Sequence, residues 1–122
     1  KRQRFLGDAA AQLRSLTENE ELAWIFRGHA GAYSELPFLY RRGTVIISGV
    51  IDRVIVRDGT GFVIDYKSTI AGNEADLQSW IEHYRPQVKV YCEAVKELFR
   101  LTSVEGYLLF LDSARLALTV KV

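Results

Sequence analysis

Three ionisable side chains stand inside stretches that otherwise belong in a protein core. Asp52 interrupts Gly49-Val50-Ile51-Asp52-Arg53-Val54-Ile55-Val56, and Asp65 and Lys67 interrupt Phe62-Val63-Ile64-Asp65-Tyr66-Lys67. Taking an unpaired charge out of water is costly, so charges placed this way have partners or bind a metal. Two carboxylates at the roughly 5 Å of a cross-strand pair repel unless a cation neutralises them. A hard divalent ion such as Mg²⁺ does this with one or two carboxylates while keeping several waters. Such an ion polarises a phosphodiester and helps generate a hydroxide nucleophile. An adjacent ammonium positions that water or stabilises the added negative charge of the transition state. Two acids, a lysine and a metal therefore suffice for phosphodiester hydrolysis. The plainer reading of the same residues is an Asp–Lys salt bridge on a solvent-facing strand.

Strand geometry decides whether the three meet. Asp65 and Lys67, two apart, project from one face of a strand. Between the two apolar runs lies Arg57-Asp58-Gly59-Thr60-Gly61, and Asp-Gly is a strong short hairpin signal. A two-residue loop at Asp58-Gly59 sets Arg57 opposite Thr60 and Asp52 opposite Asp65. A four-residue loop ending at Gly61 sets Asp52 opposite Lys67 instead. Either register gathers all three on one face, whereas the intermediate one pairs Asp52 with Tyr66 and scatters them.

The elements that must hold them follow from periodicity. Residues 3–27 read as helical, with Leu13, Leu16, Leu22, Ile25 and Phe26 at three- and four-residue steps, and Thr17 with Glu20 resembles a capping box. The glycine-flanked stretch 28–31 reads as a loop. Residues 35–40, 44–56 and 62–67 read as strands, the first at an edge because of Pro37. A polar loop is expected over 68–78. A helix follows over 79–98, with Ile81, Tyr84, Val88, Tyr91, Val95 and Leu98 on one stripe. Residues 104–111 and 114–122 close the chain as two strands. The order predicts one α/β or α+β domain over 1–122, with N-terminal helices over 1–27 and a core over 33–122. The strands either side of the long helix are expected to run parallel.

Composition narrows the setting. Of the 122 residues, 48% are hydrophobic and 25% charged, an ordinary balance for a single globular core. No apolar run approaches a membrane span and none resembles a signal peptide. The single cysteine, Cys92, cannot form an internal disulfide, so a cytoplasmic location is expected. A net charge of +1 gives little of the basic surface that holds nucleic acid electrostatically. There is no methionine and the chain opens on Lys1-Arg2-Gln3-Arg4, so a fragment of a longer protein is expected.

Gly49-x-Ile51-Asp52-Arg53, Ile64-Asp65-Tyr66-Lys67-Ser68 and Gln87-x-x-x-Tyr91 together resemble successive motifs of the RecB-like branch of the PD-(D/E)XK nucleases. Ser34-Glu35-Leu36-Pro37-Phe38 looks like that branch's acidic entry to the first strand. The wording around them, Tyr84-Arg85-Pro86-Gln87-Val88 especially, is most similar to the C-terminal nuclease domain of AddA-type helicase–nucleases. The resemblance spans residues 34–110. One motif alone is weak evidence; the ordered set is specific.

The resemblance implies a restriction-endonuclease-like core, a mixed sheet of about five strands flanked by helices. It implies Mg²⁺ (or Mn²⁺) ligated by Asp52 and Asp65, with Lys67 catalytic. Glu35 is either a water-mediated metal contact or a first-strand surface acid. Gln87 and Tyr91 would contact the DNA backbone or orient Lys67; their plainer roles are a helix surface residue and core packing. It further implies exonuclease-type DNA hydrolysis in double-strand break repair and recombination. The partners would be helicase domains in the same chain and a second helicase–nuclease subunit. Members of the family complete the metal site with a histidine well upstream of the first strand. His29, in a glycine-flanked loop close to Glu35, maps poorly onto it, so the ligand is either His29 or a histidine upstream of Lys1; in the second case the isolated chain is expected to hold Mg²⁺ weakly. His83 reads as a solvated helix residue within reach of phosphate, and Trp24 and Trp80 as packing anchors, with base stacking the alternative for Trp80 at the mouth of the loop. Cys92 has no partners for an iron–sulfur cluster, and none is expected. The competing readings are a catalytically inactive DNA-binding or scaffolding domain, which the intact acid–acid–lysine set argues against, and a restriction or junction-resolving endonuclease, for which no base-reading element is present.

Overall fold

The computed structural model of the protein describes residues 18–28 and 30–122. The helical expectation for 3–27 and the Thr17 cap therefore fall mostly outside the described residues. Within them, residues 18 and 20–22 are turns, because the Asn19 side chain accepts the Glu21 N–H at 2.9 Å and its carbonyl accepts the Leu22 N–H at 3.1 Å. Asparagine competes in this way with helical bonding. One turn of helix, α1 (Ala23–Phe26), follows.

Five strands form a single sheet in chain order: β1 (Ala32–Arg42), β2 (Val45–Arg57), β3 (Thr60–Lys67), β4 (Ser103–Phe110) and β5 (Arg115–Lys121). β3 and β4 are parallel, joined through the long helix α2 (Glu74–Leu98), and the other neighbours are antiparallel. This is the expected α+β arrangement with a mixed sheet. Pro37, which has no N–H to give a second neighbour, lies on the edge strand β1.

The helix α2 starts five residues earlier than its apolar stripe suggests. Asn73 caps it by accepting the Asp76 N–H at 2.9 Å, and Glu74 and Asp76 place negative charge at the positive end of the dipole. The stripe is buried at Ile81, Val88 and Val95 but not at its end, where Leu98 is 57% exposed. α2 also runs through Pro86, which costs the backbone bond its missing N–H would make.

Alternation along β3 and β4 builds a core on each side. Val63 and Leu108 join Val88, Cys92 and Val95 beneath α2. Ile64 and Leu109 join Ile25 and Leu22 on the opposite face, where Trp24 packs edge-on against Phe62 and Tyr107. Arg53 ties the segment around α1 to this face. Its guanidinium donates to the carbonyls of Ile25 and Arg27, each at 2.7 Å, and to Ser34 Oγ at 2.8 Å. No helix among the described residues is long and apolar enough to cross a membrane.

The closeness of α2 to β4 depends on Gly106. A Cβ there would lie 2.5 Å from Val88 Cγ1 and 2.6 Å from Cys92 Sγ, both core atoms of α2. Gly106→Ala is expected to lower the unfolding free energy by about 2 kcal/mol, in the range of core overpacking, as read by a urea melt. A stability within a few tenths of the parent would mean that α2 is not seated against β4 as described.

Candidate active site

The site forms where regular pairing stops. Asp58 and Gly59 have φ of 51° and 79°, as a two-residue turn between twisted strands requires, and Arg57 pairs with Thr60. The chain thus takes the register that sets Asp52 opposite Asp65. The ladder itself ends one step short, at Arg53 and Ile64. There Asp52 Oδ2 accepts the Tyr66 N–H at 2.8 Å, so a side chain replaces a strand as partner. β1 breaks at the same level: Ser34 pairs with Arg53 and Leu36 with Ile51, while Glu35 between them has φ 51°. Ile51 and Val54, three apart, both enter the core beneath α2, which unbroken alternation forbids. A local irregularity of this kind re-aims side chains.

Asp65 is 6% exposed. Its Oδ2 is fully buried and has no hydrogen-bond donor among the described residues. Lys67 Nζ lies 3.1 Å away, close enough for an ion pair but outside hydrogen-bonding geometry. Burial first, then the adjoining Asp52 carboxyl, raises the Asp65 pKa to about 6, against the opposing pull of Lys67. An orphaned carboxylate oxygen facing a second carboxylate is the donor set a hard divalent cation takes, so these residues fit the metal expected from the sequence.

Lys67 is held from three sides. Besides Asp65, Nζ donates to Gln87 Oε1 at 3.2 Å and sits 4.1 Å from the centre of the Tyr84 ring. The Tyr84 hydroxyl is anchored in turn to Thr69 Oγ1 at 2.9 Å. The Lys67 backbone is fixed where its carbonyl accepts the Leu111 N–H at 2.9 Å. Tyr91 stands over Phe38, ring centres 5.4 Å apart. Burial, and then the charges of Asp65 and Asp52, raise its phenol pKa, so its hydroxyl stays protonated beside the acids. Gly49, the first residue of the motif, lies across from Phe38, where a Cβ would meet the ring at 3.0 Å.

Asp52, Asp65, Lys67, Gln87 and Tyr91 are therefore brought together. Glu35 is on the neighbouring strand and exposed, and among the described residues no third His, Cys, Asp or Glu joins the two aspartates in a metal-binding group. His29 lies outside the described residues. His83 is exposed on α2. Sequence reasoning passed over Tyr84 and Thr69 as parts of the site and Arg53 as its anchor to α1. For Tyr84 a signal existed: residues 84, 87 and 91 follow helical spacing along one face.

The PD-(D/E)XK nuclease superfamily model matches residues 2–119. The chain is similar to an ATP-dependent helicase/nuclease subunit of Listeria innocua serovar 6a, 36% identical over 73 residues, covering 56% of this chain and 6% of that protein. It is also similar to the protein of the same name from Staphylococcus aureus strain JH9, 27% identical over 117 residues, covering 82% of this chain and 10% of that one. The chain thus spans a tenth or less of the length of these relatives. The solved structure of SSO0001 superposes on 98% of this chain and 50% of its own, with TM-score 0.48 and 19% identity.

The raised Asp65 pKa has a consequence for stability. Unfolded, this carboxyl ionises near its ordinary 3.8; folded, it does so at about 6. The contribution of Asp65 to the stability of the metal-free fold therefore falls as pH rises from about 4 to about 6 and is level above that. Asp65→Asn is expected to raise metal-free stability at pH 7.5 by roughly 1–2 kcal/mol, after allowing for relaxation, while Mg²⁺ stabilises only the parent. A metal-free Asn variant less stable than the parent in a urea melt would contradict the like-charge reading.

Proposed function

The chain belongs to the PD-(D/E)XK nuclease superfamily, and on that premise we propose that it hydrolyses DNA phosphodiesters with a divalent ion, Mg²⁺ or Mn²⁺, held by Asp52 and Asp65. The observation that carries this reading is the buried Asp65 Oδ2, without a hydrogen-bond donor among the described residues and adjoining both Asp52 and Lys67. Leaving a buried carboxylate oxygen without a hydrogen bond costs stability, and a metal-binding role explains why the fold bears that cost.

When bound, the ion would polarise the phosphodiester and favour deprotonation of its water. The chain's own residues do the rest. Asp52 is oriented by the Tyr66 N–H, so its carboxylate is set before any ligand arrives. Lys67 is kept in place by Gln87 and Tyr84, and it offers its protons to negative charge growing on the phosphate oxygens. Tyr91, kept neutral, is a donor to phosphate beside the pair. The order of motifs and the names of the similar proteins favour a place as the nuclease module of an ATP-dependent helicase–nuclease. On this reading the chain acts as an exonuclease in double-strand break repair and recombination, beside helicase domains of its own chain and a partner subunit.

Asp52→Ala, Asp65→Ala and Lys67→Ala in the full-length protein are each expected to reduce DNA cleavage by at least about a hundredfold. Any ATPase activity should be unaffected, and pairs of these changes should add little to either alone, because the three act as a unit. Near-normal cleavage by Lys67→Ala, measured on a labelled DNA end, would remove the lysine from the mechanism.

A further inference from the structure

Resting on that reading and deepening it, we propose that Tyr84 is a positioning residue for Lys67, whose ring face keeps the ammonium in the site once a cation has taken Asp65. Lys67 has three partners, and the proposed chemistry removes one of them. Its Nζ lies 3.1 Å from Asp65 Oδ2, 3.2 Å from Gln87 Oε1 and 4.1 Å from the centre of the Tyr84 ring. A divalent cation shared by Asp52 and Asp65 claims the buried Oδ2. It also neutralises the two carboxylates and sets like charge beside the ammonium, whose side chain is only 18% exposed. The attraction that places Lys67 in the metal-free site is thereby lost.

Two partners remain, and they differ in kind. Gln87 supplies one hydrogen bond to the end of a flexible four-carbon stem, which leaves the stem free to pivot. The Tyr84 ring attracts the ammonium through the negative charge of its face. A hard cation takes oxygen ligands and does not compete for that face, so this attraction outlasts metal binding.

The ring is itself fixed from two directions. The Tyr84 hydroxyl and Thr69 Oγ1 are hydrogen-bonded at 2.9 Å, and the Trp80 ring stacks on Tyr84 with centres 5.6 Å apart and 17° between planes. Thr69 lies two residues beyond Lys67, in the connection from β3 to α2, so the same bond ties the end of β3 to the helix. Tyr84 and Gln87 are one turn apart on α2, so a single helix carries both supports of the lysine. A ring that merely packed beside the lysine stem would be indifferent to its own electron density and to the presence of metal.

The test replaces Tyr84 in the full-length protein with phenylalanine and with its mono-, di- and trifluorinated forms. Fluorine drains the ring face of negative charge and changes its shape little. With Mg²⁺ and a labelled DNA end, Tyr84→Phe should keep most of the parent's kcat. Each added fluorine should then lower kcat, to about tenfold below Tyr84→Phe for the trifluorinated ring, with KM near the parent's. A kcat indifferent to fluorination overturns the proposal. Crystals of full-length Tyr84→Leu give a readout apart from activity. Lys67 should still meet Asp65 without metal and should leave Gln87 when Mn²⁺ is bound; a lysine that stays on Gln87 beside bound Mn²⁺ also overturns it. The fluorinated series decides the matter if Tyr84→Leu does not fold. Asp65→Ala is the control: DNA cleavage that survives it rejects the proposed function itself, whereas Asp65-dependent cleavage unmoved by fluorination rejects the role of Tyr84 alone.

Discussion

Asp52 and Asp65 are like charges forced to adjoin across two strands, and much of the molecule serves to keep them there. The two-residue turn at Asp58-Gly59 fixes the register, and a slip of one residue would send one acid to the opposite face. Pairing on both sides of β2 gives way at the level of Asp52, which frees its carboxylate to bind the Tyr66 N–H. Arg53, the next residue, points the other way and ties the segment around α1 to the back of the sheet. One strand thus anchors the fold on one face and presents the chemistry on the other.

The front of the site is set by α2. Gly106 lets the helix lie close to β4, and that closeness brings Gln87, Tyr84 and Tyr91 to Lys67 and the acids. Lys67 is the balance point of the pocket. Its charge opposes the rise in the Asp65 pKa without cancelling it, since burial and Asp52 still hold the carboxyl near 6. A tighter ion pair would make a more stable fold and a poorer ligand. Sites that bind metals commonly keep such uncompensated charge, and the surrounding structure offsets its cost.

The sequence made the chemistry more legible than the geometry that sharpens it. Charges inside Val- and Ile-rich runs, with an Asp-Gly turn between them, were enough to place Asp52, Asp65 and Lys67 on one face, because alternation and turn length leave few registers. The start of α2 was misplaced because Asn73, Glu74 and Asp76 look like loop residues by polarity and act as a cap by position. Leu98 matched the apolar stripe but lies on the last turn of α2, where it remains exposed. Tyr84 looked like core from its spacing, and only the fold shows Lys67 above its ring. Arg53 reads as one more charge in a strand. Its partners are backbone carbonyls, which carry no mark in a sequence.

The central claim is that the Asp52–Asp65 pair is a cation site. Anomalous diffraction from crystals of the full-length protein grown with Mn²⁺ tests it directly. The account predicts a manganese peak within coordination distance of both carboxylates, with Lys67 displaced from Asp65 Oδ2 and still bonded to Gln87. Saturating Mn²⁺ without a peak between the two aspartates, and with Lys67 still against Asp65, would show that Asp65 serves a salt bridge with Lys67 and not a cation, and would contradict the account.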